Sequence, residues 1–162
     1  MNTLLRLLAV PALLLAACSP QAGTASPAAT PEAPATHPVS GLEVVPLTIT
    51  QDGKRHRFRV EVAATDEQQM RGLMFRTEMG ADEGMIFPKE PAQMRSFWMR
   101  NTVIPLDMLF IGPDHKVVNV IANAVPYSLD SRPSAAPVIA VLELNGGRTA
   151  ELGIGPGALV QW

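Results

Sequence analysis

A second cysteine is missing from this chain. Cys18 stands alone in 162 residues, so no intramolecular disulfide can form and packing must hold the folded part together. No apolar run reaches the roughly 18 residues that a membrane-spanning helix needs. Charge of one sign is also lacking: the net charge is −2 and only 17% of residues are charged. Without a basic excess, nucleic acid and acidic polymers are not expected partners. No nucleophile elbow, phosphate-binding glycine loop, Cys/His cluster or zincin helix is present, so the familiar hydrolases gain no support. Neither a metal nor a cofactor is expected. Seven of the eight methionines lie between Met70 and Met108, but their spacing is that of core gap-fillers rather than copper ligands.

What the chain does carry begins at its N-terminus. Arg6 and the free amine precede a short apolar run, Leu7 to Ala17, in the manner of a secretory signal. The run closes on Leu15-Ala16-Ala17-Cys18, which resembles the lipobox of bacterial lipoproteins. Residues 1–17 are therefore expected to be a signal peptide, with Cys18 the lipidated first residue of an exported, membrane-anchored protein. Ser19 after the cysteine resembles an outer-membrane sorting signal and favours that membrane, with the domain facing the periplasm. Residues 18–40 hold five of the fifteen prolines and almost no large apolar side chain. Such a run cannot sustain a ladder or a helix and is expected to be a disordered tether, with His37 solvated. Residues 41–162 remain for one globular domain, expected to be monomeric.

Within that domain, Val44 to Thr50 is β-branched and Gln51-Asp52-Gly53-Lys54 is turn chemistry. His56, Phe58, Val60 and Val62 then alternate with Arg57, Arg59 and Glu61, the period of a half-buried strand. Thr65-Asp66-Glu67-Gln68 is a capping box, opening a short helix over 66–74 with Met70, Leu73 and Met74 on one face and Gly72 as its stop. Gly84 to Pro88 reads as a strand. Leu106, Met108 and Phe110 alternate with Asp107, Leu109 and Ile111; after Gly112 to His115, Lys116 to Ala122 returns to form a hairpin. Asn123 to Pro137 reads as a long loop and Val138 to Leu144 as an apolar strand carrying Glu143. A helical turn near 148–152 and a last strand over Ala158 to Trp162 complete the chain. Short strands at this spacing predict a mainly β domain, a compact sandwich or squat barrel with minor helix.

The chemistry concentrates in Phe97 to Phe110, an apolar stretch holding Arg100, Asn101, Thr102 and Asp107. Polar groups drawn into a core cost free energy unless they are partnered. Arg71-Gly-Leu-Met74, Gly84-Met-Ile-Phe87, Phe97-Trp-Met-Arg-Asn-Thr102, Ile104-Pro-Leu-Asp107 and Val141-Leu-Glu-Leu144 together resemble the successive motifs of the domain of unknown function 192 family. The resemblance runs from about Leu42 to Trp162 and implies a compact, mainly β, often exported domain, with no activity attached. Members tend to carry Gly-Asp near the end, where this chain has Gly157-Ala158.

Three functions are compatible with these residues. The first is a binding module for an anionic or glycan envelope component. Arg71 and Arg100 would fork an oxyanion, Asn101 and Thr102 would complete the pocket, Trp98 would stack on a sugar, and Asp107 would orient an arginine. The second is a glycan-acting enzyme with Asp107 and Glu143 as acid and base, which requires both carboxyls to open on one cleft. The third is a structural accessory that binds another protein. Catalysis is the less favoured of these readings, because buried carboxylates usually serve structural partners.

Overall fold

The computed structural model of the chain describes residues 35–162. The expected signal peptide, Cys18, Ser19 and the tether as far as Pro34 lie outside the described residues. Two strands open the described part, β1 (Ala35–Thr36) and β2 (Glu43–Gln51), followed by β3 (Lys54–Val62) and helix α1 (Asp66–Arg71). Next come β4 (Glu83–Gln93), β5 (Ser96–Phe97), β6 (Leu106–Ile111), β7 (Val117–Ala124) and β8 (Arg132–Pro133). Strand β9 (Val138–Asn145), helix α2 (Arg148–Leu152) and β10 (Leu159–Gln161) complete the order.

Local chemistry explains the joints. Gln51 pairs with Lys54 across a two-residue loop, and Asp52 and Gly53 both take positive φ, at 49° and 76°. That backbone matches the twist of the flanking strands, and Asp-Gly is the dipeptide that adopts it at least cost. At α1 the Gln68 amide donates to the Thr65 hydroxyl at 3.2 Å, while the Thr65 amide donates to Gln68 Oε1 at 2.9 Å. The reciprocal cap is worth about 1 kcal/mol. Gly72 ends the helix, its N–H returning to the Gln68 carbonyl.

Eight strands form one sheet in the order β1-β2-β3-β4-β9-β6-β7, with β10 also paired to β2. The β3–β4 pair is parallel and the other pairs are antiparallel. Strands β5 and β8 form a separate two-stranded piece. The sheet curls until a lone bridge joins Lys116 to Leu159, but it does not close, so the barrel alternative is not realised. The mainly β architecture with two short helices is realised.

Period-two alternation splits the core in two. Ile86, Leu109, Ile111, Leu142 and Leu144 pack in one cluster; Met85, Phe87, Met108, Phe110 and Val141 pack in the other. Strand β6 is buried along its whole length, so it reads as a continuous apolar run rather than a one-faced strand. Each fully buried Leu, Ile, Met or Phe contributes roughly 1.5–3 kcal/mol.

Three local expectations need correction. Met70 is 74% exposed, because the helix ends at Arg71 and buries none of its own residues; Leu73, past the Gly72 cap, is the buried one. Residues 35–40 are not tether: Ala35 and Thr36 pair with β2, and His37 packs on a buried ion pair. That pair is Arg76 and Glu61, bidentate at 2.8 and 3.0 Å. The Ser40 hydroxyl also donates to Glu61. Glu61, expected outward beside Arg57 and Arg59, is only 3% exposed because the 35–42 segment and Arg76 cover it.

Candidate functional site

Asp107 is the second residue of β6 and is fully buried. Its Oδ1 accepts from the Asn123 amide at 2.8 Å and the Gly147 amide at 2.9 Å. Its Oδ2 accepts from the Thr149 amide at 2.8 Å and the Thr149 hydroxyl at 2.6 Å. Both oxygens are thus satisfied by the end of β7 and the start of α2, and no arginine is involved. The expectation that Asp107 orients an arginine or lines a ligand site is overturned; it clamps the β9–α2 turn to the sheet.

Glu143 has the opposite environment. It sits on β9 opposite Met85 on one side and Met108 on the other, both fully buried. Asp107 instead pairs with Leu144, one residue along. Successive side chains alternate faces, so Asp107 and Glu143 point to opposite sides of the sheet. They cannot share a cleft, and the acid–base pair fails on register alone. Among the described residues Glu143 makes no ion pair. It is 4% exposed, and burial pushes its carboxyl up to about 8, since an apolar setting disfavours the charged form.

Glu143 nevertheless reaches a hollow of about 370 Å³ between α1, β4 and the 93–102 segment. Arg71, Lys89, Arg95, Arg100, Trp98 and Thr102 also line it. Lys89 is taken by Asp66 at 2.9 Å. The three guanidiniums have no carboxylate partner among the described residues. Each lies over an aromatic ring instead: Arg71 over Phe75 at 5.6 Å, Arg95 over Phe97 at 5.3 Å and Arg100 over Trp98 at 5.7 Å. Stacking orients a guanidinium without using up its in-plane donors. Arg95 gives Nη2 to Gln69 Oε1 at 3.1 Å, while its buried Nη1 has no partner among the described residues. Burial lowers the Arg95 pKa, a drop partly opposed by the charge of Asp66.

The scaffold beneath this hollow is firmly built. Phe97 meets Phe87 and Phe110 edge-on at 5.1 and 6.2 Å, tying β5 to the second core cluster. Arg95 is pinned through its backbone, its amide donating to Ser134 Oγ and its carbonyl accepting from the Ser134 amide. Phe75, Asn101 and Tyr127 all adopt positive φ. The Phe75 amide donates to the Asn101 carbonyl and the Tyr127 amide to the Thr102 carbonyl, at 2.8 and 3.1 Å. Bulky residues in that region carry strain of about 1–3 kcal/mol each, which tends to collect where a site must be held in shape.

Known proteins fit this picture without adding an activity. The family profile described as Uncharacterized ACR, domain of unknown function 192, matches residues 47–162. The chain belongs to that family. A crystal structure of a protein of unknown function from Novosphingobium aromaticivorans DSM 12444 is 56% identical, covering 86% of this chain and 100% of that one, with a TM-score of 0.79. A putative transcription regulator from Sinorhizobium meliloti 1021 is 38% identical, covering 74% of this chain and 94% of that one, with a TM-score of 0.72. No curated protein matches.

In this member of the domain of unknown function 192 family, the hollow gathers Arg71, Trp98, Arg100, Thr102 and Glu143 from the sequence-based candidates. Asn101 and Asp107 are not part of it. Asn101 forms the left-handed turn, with its amide nitrogen 3.9 Å from Met74 Sδ. Arg95, Gln69 and Lys89 are lining residues that the sequence did not single out as ligands. Arg95 alone carried a faint signal, a cation two residues before the apolar stretch.

Proposed function

We propose that the protein is a small exported binding module, anchored by lipid on Cys18, that captures an anionic envelope component in this hollow. The observation that carries the reading is the set of three guanidiniums, Arg71, Arg95 and Arg100, stacked on aromatics around one cavity with no carboxylate partner among the described residues. Guanidinium forks match carboxylate, phosphate and sulfate geometry. Trp98, half exposed at the hollow, offers a stacking face to an acidic sugar or another ring-bearing ligand. With a net charge of −2, a small anion suits the chain better than a nucleic-acid backbone, which calls for a basic face.

A thermal-shift screen of the protein against sulfate, phosphate, small carboxylates and acidic sugars tests this, because a ligand of the folded state raises the melting temperature. Stabilisation by oxyanions, lost in Arg95→Met, is expected; no shift with any of them contradicts the reading. For the anchor, Cys18→Ala is expected to release the exported protein from the membrane fraction, and continued membrane association contradicts it. A second reading, attachment to a protein partner, draws on Val125, Tyr127 and Leu129, which project from one loop. Photo-crosslinking from position 129 in intact cells tests it: one discrete adduct is expected, and its absence opposes this second role.

A further inference from the structure

This inference rests on the proposed anion site and concerns what holds the ligand on the side away from the arginines. A carboxyl among four cations would ordinarily pair with one of them. Glu143 does not, although Arg71, Lys89, Arg95 and Arg100 line the same hollow. Each cation is held elsewhere: Lys89 by Asp66, Arg71 by Phe75, Arg100 by Trp98, and Arg95 by Phe97 and Gln69. The register of β4, β6 and β9 places Glu143 between Met85 and Met108, on the face of the sheet that floors the hollow. What remains, among the described residues, is a hollow with a carboxyl that makes no ion pair on its sheet side and an unpartnered buried N–H on Arg95. Burial pushes the Glu143 carboxyl up to about 8, and a protonated carboxyl is a donor as well as an acceptor.

We propose that the hollow is a proton-dependent oxyanion site, in which the protonated Glu143 carboxyl donates a hydrogen bond to a carboxylate, sulfate or phosphate-ester oxygen held by Arg95 and its neighbours. The proton stays on Glu143 and no bond is made or broken. Ionising Glu143 removes the donor and places a like charge against the ligand, so binding weakens once the carboxyl titrates. The charged groups facing it are Asp66 and Arg71 of α1, Lys89 of β4, and Arg95 and Arg100 of the following segment. Lys89, by hydrogen bond and by charge, holds Asp66 below its usual range. Glu143, raised by burial to about 8, changes charge at mildly alkaline pH.

Isothermal titration with sulfate and with succinate, both essentially fully ionised from about pH 7.5 upward, separates this group's titration from the ligand's. Wild-type affinity is expected to be level up to about pH 8 and then to fall about tenfold per pH unit, one proton being linked to binding. Glu143→Gln, a permanent donor, is expected to bind at neutral pH and to lose that dependence. Glu143→Met, of similar length and without the donor, is expected to bind about tenfold or more weakly while melting cooperatively. A level wild-type profile, or unimpaired binding by the folded Met variant, overturns the Glu143 role and leaves the arginine site standing. Absence of binding at every pH overturns both. Sulfate and succinate responding alike would assign the site to oxyanions generally, whereas preference for one names the ligand group.

Discussion

Replacing Asp107 tests whether this fully buried carboxyl is a clamp or part of a site. Asp107→Ala removes the acceptor for four donors: the Asn123, Gly147 and Thr149 amides and the Thr149 hydroxyl. The Asn123 and Gly147 bonds are part-buried, so water can replace much of what they lose. The two Thr149 donors are buried and incur the full penalty of an unmet donor, about 1–3 kcal/mol each. The net destabilisation is then about 3–5 kcal/mol, a large share of the 5–15 kcal/mol typical of a domain. For a domain of this size the melting temperature should fall by about 10–20 °C. Asp107→Asn keeps the volume and one accepting oxygen; its nitrogen can face the Thr149 hydroxyl, leaving chiefly the Thr149 amide opposed, so a loss of about 2 kcal/mol is expected. Urea denaturation of both variants gives these values directly. Sulfate affinity per folded molecule should be unchanged, since Asp107 lies across the sheet from the hollow. A cost below about 1 kcal/mol for the alanine variant would refute the clamp. Lost sulfate binding by folded Asp107→Asn would refute the separation of the two faces.

Other outcomes follow from the same structure. The Glu143 carboxyl is raised to about 8 in the folded protein from an ordinary 4.5, so the folded state holds its proton where the unfolded chain has lost it. Its stabilising contribution is complete below about pH 4.5 and is lost as pH rises through about 8; the whole span is worth at most on the order of 4–5 kcal/mol. Glu143→Gln should gain on wild type over that window in urea titrations, and a constant difference between the two contradicts the buried neutral acid. Glu61→Ala strands the Arg76 guanidinium, nine-tenths buried; a cost of about 3–5 kcal/mol is expected, with faster proteolysis of residues 35–42. Unchanged stability and digestion contradict that latch. At Gly84 an added Cβ would stand 2.6 Å from the Glu143 carbonyl oxygen and 2.8 Å from Leu144 Cδ2. Gly84→Ala should therefore cost about 1–3 kcal/mol in urea denaturation; a neutral substitution shows that β4 and β9 can part locally.

Local signals in the sequence were good guides to local structure. The Asp52-Gly53 turn, the Thr65–Gln68 cap, the Gly72 stop and the β6–β7 hairpin all depend on residues a few positions apart, where sterics and hydrogen bonding are decided by neighbours. Trp98, Arg100 and Thr102, which drew notice as polar or amphipathic groups in an apolar stretch, line one hollow. Long-range partners left no such trace. Nothing near Asp107 announces that its donors come from Gly147 and Thr149, forty or more positions later. That Glu143 faces away from Asp107 depends on a one-residue register between β6 and β9, which alternation within either strand leaves open. Glu61 alternates with outward arginines and so reads as solvated; it is buried because Arg76, Ser40 and His37 arrive over it. Arg95 lies among Gln93, Met94 and Ser96, with no periodic pattern to show which way it faces.

The central claim is that Arg95 and Glu143 bracket a bound oxyanion. Crystals of the protein soaked in selenate, read by anomalous scattering, test it most directly. A selenium peak is expected inside the hollow, within hydrogen-bonding reach of Arg95 Nη1 and the Glu143 carboxyl, that disappears in Arg95→Met. Selenate found only at exterior arginines such as Arg55, Arg57 and Arg59, with the hollow empty, would contradict it.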